Sequence, residues 1–390
     1  MDYNKTTKTL VIASNFDEEL VNIPEDTETI IFFCNDDSNN YYPSLFNYPI
    51  NNYPKNLSVI EFGTAFNQSI DNLPEKITDI YFSENSEFDQ PVNNLPENLT
   101  QLTFGYFFNQ LVNNLPKNIT NLTFGYVFNQ PVYNLPENIT NLTFGYVFNQ
   151  PVDNLPKKLT HLTFDGCFNQ PINNLPENLT HLTFYGCFNQ PVNYLPENLT
   201  HLIFNGCFNQ PVDNLPKNLT HLTFNACFNQ PVDNLPETLT NLTFGDRNEN
   251  IFNQSVDNLP KNLTHLTFYG SFNQPVDNLP ENLINLIIKS EKYNQPILNL
   301  PENLVHLELI GKFMNDVILP KKIKKLVLNN DNTILNKLPE YIEKIYIEFD
   351  YKLIKKVDNL PITIKEIVIE PHCVNYVKIP YGAIISHKFH

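Results

Sequence analysis

Five histidines, His161, His181, His201, His221 and His265, fall on the same beat of the chain, the first four at intervals of twenty residues. Imidazoles in such a row suit two kinds of chemistry. Neighbouring rings can share a transition metal, or they can act as a pH switch, because protonating a close row accumulates like charge. Four cysteines, Cys167, Cys187, Cys207 and Cys227, keep the same interval and open thiol or disulfide chemistry. Neither row is accompanied by a column of carboxylates, and Asn121, Asn141 and Asn241 stand where other copies have histidine. The plainer reading is a ladder of solvated imidazoles beside a packed file of reduced thiols, with Val127 and Val147 at the cysteine position of other copies. A third row, Thr123, Thr143, Thr163, Thr183 and Thr223, follows two residues after the histidine position and is regular enough for a carbohydrate- or ice-binding face to be weighed. No nucleophile motif, phosphate loop or metal-ligand spacing emerges, and residues copied in every repeat are not what catalysis requires. The expectation is a non-enzymatic chain without a cofactor.

These rows need an element that repeats with them. A typical unit reads Leu159-Thr-His-Leu162-Thr-Phe164-Asp-Gly-Cys167-Phe168-Asn169-Gln170-Pro171-Ile172-Asn-Asn-Leu175-Pro176-Glu-Asn. Leu162 and Phe164 alternate with His161 and Thr163, the period-2 pattern of a short strand with one face on a core. Pro171 and Pro176 fix φ near −65° and remove two backbone donors, which rules out an α-helix and favours an extended return path. A fixed period of this length marks a solenoid, whose coils bury their apolar sides only against their neighbours. The predicted fold is therefore mainly β: a parallel β solenoid of about eighteen short coils with little or no α-helix, a strand face that is concave and proline-bearing arcs that are convex.

Phe108, Phe128, Phe148, Phe168, Phe188, Phe208 and Phe228 keep unbroken register, and the Leu-Pro mark extends the repeat from Pro24 to Pro380. Three stretches, between Phe32 and Phe46, Phe82 and Phe88, and Phe244 and Phe252, carry extra residues that the arcs should absorb as loops. The chain reads as one repeat domain: divergent coils and a cap over 1–65, regular repeats over 66–301, and degenerate coils with a cap over 302–390.

Units such as Phe148-Asn-Gln-Pro-Val-Asp-Asn-Leu-Pro-Lys-Lys-Leu-Thr-His-Leu-Thr-Phe164 resemble FNIP repeats, a leucine-rich-repeat relative of amoebae and giant viruses. The wording Leu-Pro-x-x-Leu-x-x-Leu-x-Phe-x-x-Cys is also similar to the twenty-residue leucine-rich repeats of bacterial effectors. The resemblance implies a curved parallel-sheet solenoid. Many family members carry an F-box before the repeats and serve as ubiquitin-ligase substrate adaptors, which is the alternative function; here residues 1–60 read as coils instead.

The formal charge of −17 disfavours nucleic acid, although the last eighty residues hold thirteen lysines against nine acids. The polar start, Met1-Asp-Tyr-Asn-Lys, lacks a secretory signal, and no apolar run reaches membrane-spanning length, so a cytoplasmic monomer is expected, in the host cytoplasm if the chain is viral. The function expected is a protein-interaction scaffold. Its unknown protein partner would dock on the concave strand face through His161, Thr163, His181, Thr183, His201, His221, Thr223 and His265.

Overall fold

The computed structural model describes the whole chain except residues 33–34, 38–39, 246–249, 312–316, 330–334, 336–337, 340, 349–355, 359 and 388–390. It divides into two compact units, Met1–Gln190 with Tyr194–Leu199, and Pro191–Asn193 with Thr200–His390. The first holds β1 (Asp2–Asn4), β2 (Thr9–Ile12), β3 (Thr29–Phe32), β4 (Asn35–Asp37), β5 (Asn40–Tyr42), β6 (Val59–Phe62), β7 (Asp79–Phe82), β8 (Gln101–Thr103), β9 (Asn121–Thr123), β10 (Asn141–Phe144), β11 (His161–Phe164) and β12 (His181–Gly186). The second holds β13 (His201–Gly206), β14 (His221–Phe224), β15 (Asn241–Phe244), β16 (His265–Tyr269), β17 (Asn285–Lys289), β18 (His306–Ile310), β19 (Lys325–Asn329), β20 (Lys344–Glu348), β21 (Glu366–Ile369) and β22 (Ile384–His387).

Each unit is a parallel β solenoid of leucine-rich-repeat type. In the first, β2, β3 and β6 to β12 pair in parallel, each with the next. In the second, β13 to β22 do the same. Register is strict: His161 lies opposite His181, Leu162 opposite Leu182 and Thr163 opposite Thr183. An antiparallel strand, β1, covers β2 at one edge, and β4 and β5 form a separate antiparallel pair within the Phe32-to-Phe46 insertion. A 3-10 helix spans Pro371–Tyr376.

The core follows from the alternation. Leu159, Leu162, Phe164, Phe168, Ile172 and Leu175 are all buried, as are their equivalents in neighbouring coils. Within each coil the two phenylalanines stack, Phe164 on Phe168 at 3.8 Å, and each also stacks on the same residue of the coil before, at 5.4 Å from Phe144 and 6.1 Å from Phe148. The arcs contribute a second ladder. Asn149 N–H donates to Asn129 Oδ1 at 3.0 Å, and Asn169 N–H to Asn149 Oδ1 at 2.9 Å, so each amide supplies the acceptor that a proline-bearing arc cannot draw from a regular backbone ladder. At the corner, Leu159 N–H donates to the Pro156 carbonyl at 3.1 Å.

Insertions leave these ladders intact. Residues 246–249, inside the third insertion, lie outside the described residues. Beyond them Asn253 N–H still donates to Asn229 Oδ1 at 2.9 Å, and Thr264 Oγ1 to the Thr240 carbonyl at 3.0 Å.

One expectation fails. The cysteine file does not belong to the core: Cys187 and Cys207 are exposed, and Cys167 and Cys227 are only partly covered. The turn after β11 carries Gly166 at φ 51°, which breaks the strand alternation, so Phe168 takes the inward place and Cys167 is left at the rim.

Candidate interaction face

The outward residues of the strands make the face the sequence points to. In the first unit it brings His161, His181, Thr163 and Thr183 side by side, and the two imidazoles stack at 4.2 Å with planes 12° apart. In the second, His201 and His221 stack in the same way at 4.2 Å, Thr223 lies opposite Ile203, and Asn241 separates His221 from His265.

The threonines before His161 and His181 fix the tautomers of these rings. Thr160 Oγ1 donates to the Thr140 carbonyl at 3.1 Å, and Thr180 Oγ1 to the Thr160 carbonyl at 3.0 Å. With its one hydrogen spent, the hydroxyl can only accept from the imidazole Nδ1 that lies 2.9 Å away in both cases. Nδ1 therefore carries the proton in the neutral ring, leaving Nε2 as an acceptor. In nearly parallel rings the Nε2 lone pairs run side by side and do not converge, so bridging one ion within about 2.1 Å of both would require the rings to rotate. The row is built as a rank of acceptors. Burial, and then the neighbouring His265, lowers the pKa of His221, favouring the neutral form.

Sequence reasoning missed the aromatic part of this face. Thr-Phe-Gly-Tyr occurs at 103–106, 123–126 and 143–146. Tyr106 stacks on Tyr126 at 4.6 Å, and Tyr126 on Tyr146 at 4.8 Å, with planes within 5°. The stack stops where the tyrosine position becomes Gly166, whose backbone lies so close to Tyr146 that an added Cβ would come 2.4 Å from the ring. Gly125 is as tightly held, since a Cβ there would stand 1.9 Å from the Gly105 carbonyl oxygen. The stacked tyrosines, the row Thr103, Thr123, Thr143 and Thr163, and Tyr185 line a groove of about 640 Å³ with Glu84 and Asp165. Burial and the adjacent phenols raise the Tyr126 pKa, so its hydroxyl stays protonated and can donate. The signal was available in the threefold Thr-Phe-Gly-Tyr, but each tyrosine falls just past its strand, where period-2 reasoning assigns no face.

The FNIP Repeat family model matches residues 108–134, 128–167, 168–207, 191–227, 208–247 and 252–290. The central part of the chain, within residues 108–290, is built of FNIP repeats. Among solved structures, CroV588 of a giant virus, described as a circular leucine-rich-repeat protein, is 36% identical with a TM-score of 0.81. The alignment covers 97% of this chain and 59% of CroV588, so the chain spans well under two thirds of that protein's length. YopM from Yersinia enterocolitica is 16% identical over 98% of this chain and 92% of its own, with a TM-score of 0.47. The APL1 leucine-rich-repeat domain is 12% identical over 85% of this chain and 98% of its own, with a TM-score of 0.48. No curated protein matches the chain. Among the described residues no helix is long and apolar enough to cross a membrane.

Proposed function

We propose that this FNIP-repeat chain is a non-enzymatic protein-interaction scaffold whose partner docks on the outward strand face. The carrying observation is the composition of the groove in the first unit: Tyr126, Tyr146 and Tyr185 are 39%, 40% and 45% exposed beside a row of partly exposed threonines. Rigid aromatics with a polar handle supply apolar contact area and a hydrogen bond together, the composition of interface hot spots. Repeat solenoids use extended faces of this kind for binding. The His and Thr rows extend the same chemistry along the strands of each unit. The chain acts as a monomer in the cytoplasm, that of a host cell if the likeness to CroV588 reflects a viral origin.

Capture from amoeba lysate tests the face. A protein retained by the wild-type chain should be lost when Tyr126 and Tyr146 become Ser, and when His181, Thr183, His201 and His221 become Glu. It should survive Asn178→Asp in an arc. Equal recovery on all of these baits removes the strand face as the docking surface, and a dimer mass by light scattering removes the monomer.

A further inference from the structure

The turn after β21 gathers three side chains of metal-binding type in the second unit. Glu370 precedes the 3-10 helix, Pro371 opens it, and His372 and Cys373 follow, so a carboxylate, an imidazole and a thiol come from four consecutive residues. Their donor atoms all lie within 4.8 Å of one another, and His372 Nε2 is 3.4 Å from Glu370 Oε2. We propose that Glu370, His372 and Cys373 form a binding site for a single zinc-type divalent cation, with its fourth position open to water or to a side chain from a partner.

Three observations converge on this assignment. First, the bite is close to correct. Zinc bonds of about 2.0–2.3 Å place tetrahedral ligands about 3.3–3.6 Å apart, so the carboxylate and imidazole are already spaced for one ion and the thiol needs to close by about 1.5 Å at most. Second, the backbone holds the set together, because Cys373 N–H donates to the Glu370 carbonyl at 3.0 Å across the turn. Third, exposure is graded: Cys373 is 1% exposed, the Glu370 side chain 23% and the His372 side chain 55%, which gives an inner sulfur ligand and an entry side. Sulfur, nitrogen and oxygen together suit a borderline-soft ion, whereas magnesium and calcium require shells of oxygen. On binding, the thiol releases its proton to solvent and the sulfur–metal bond replaces the S–H bond, with no change of oxidation state. Among the described residues these three are the group of such donors gathered this closely; Cys167, Cys187, Cys207 and Cys227 have no comparable company.

Cobalt(II) titration of the full chain is the test, because cobalt occupies zinc sites and reports a thiolate bond by near-ultraviolet charge transfer. One equivalent should produce that band together with a tetrahedral visible spectrum, and zinc should displace both. Cys373→Ser should abolish the charge transfer, and His372→Ala or Glu370→Gln should weaken binding by ~100-fold, since even outer-shell changes cost about 10–100-fold. Should Cys373→Ser fail to fold, the two partly exposed variants carry the test. A thiolate band that persists in Cys373→Ser, unchanged affinity in both partly exposed variants, or no band in the wild-type chain overturns the site.

Discussion

A single phenylalanine and its neighbour in sequence separate the inside of this molecule from its outside. Phe164 is fully buried and stacks on Phe144, Phe148, Phe168 and Phe184, whereas Thr163 faces outward. Phe164→Ala should cost about 3–5 kcal/mol by denaturant melting, and Thr163→Ala no more than about 0.5 kcal/mol. Equal costs would invert the two faces. The arc asparagines obey a different rule, because what the ladder uses is an oxygen. At Asp89 the repeat carries a carboxylate in the asparagine position, and Asn109 N–H donates to its Oδ1 at 2.8 Å. Asn149→Asp should therefore be tolerated, while Asn149→Leu removes the acceptor for Asn169 N–H and should cost about 1–3 kcal/mol. A smaller loss for Leu than for Asp in a melting comparison would refute that role.

At the level of the strand and its turn, the close approach of successive coils has a measurable price. An added methyl at Gly125 meets backbone and has no flexible neighbour to displace, so Gly125→Ala should destabilise by about 1–3 kcal/mol and loosen the Tyr106–Tyr126 stack, seen as a change in near-ultraviolet circular dichroism. An unaltered spectrum and melting curve would show that the turns can part freely. The strand itself was legible from residue types: Leu162 and Phe164 against His161 and Thr163 is an alternation that permits one assignment of faces. The turn was not. Gly166 with φ 51° resets the direction of the chain, and the alternation that places Phe164 then says nothing about Cys167, which was expected inside and lies at the rim. The tyrosine stack was hidden for the same reason. The Glu370, His372 and Cys373 cluster depends on one turn outside the regular repeats, where no periodic argument reaches.

Over the whole molecule, charge and repetition set behaviour that no single coil reveals. Burial lowers the pKa of His221, aided by His265; burial also lowers that of His306, aided by Lys325 and partly opposed by Glu308. The unfolded chain therefore binds protons first. Stability from these groups is present above the ordinary histidine value of about 6.5 and is lost as the pH falls through the lower folded values. The melting temperature should decline between neutral and mildly acidic pH, and His221→Asn, which copies the residue at position 241, should shallow the decline. An identical slope in that variant would assign the effect elsewhere. The asparagine ladder has a consequence of another kind. Because Asn149 receives from the next coil what Asn129 receives from Asn149's own coil, a coil removed or duplicated within a regular stretch leaves the same donor facing the same acceptor across the new junction. A gene for such a chain can gain or lose cassettes of about sixty bases, keeping its reading frame and its interfaces together, so natural length variants should differ by whole coils and remain folded.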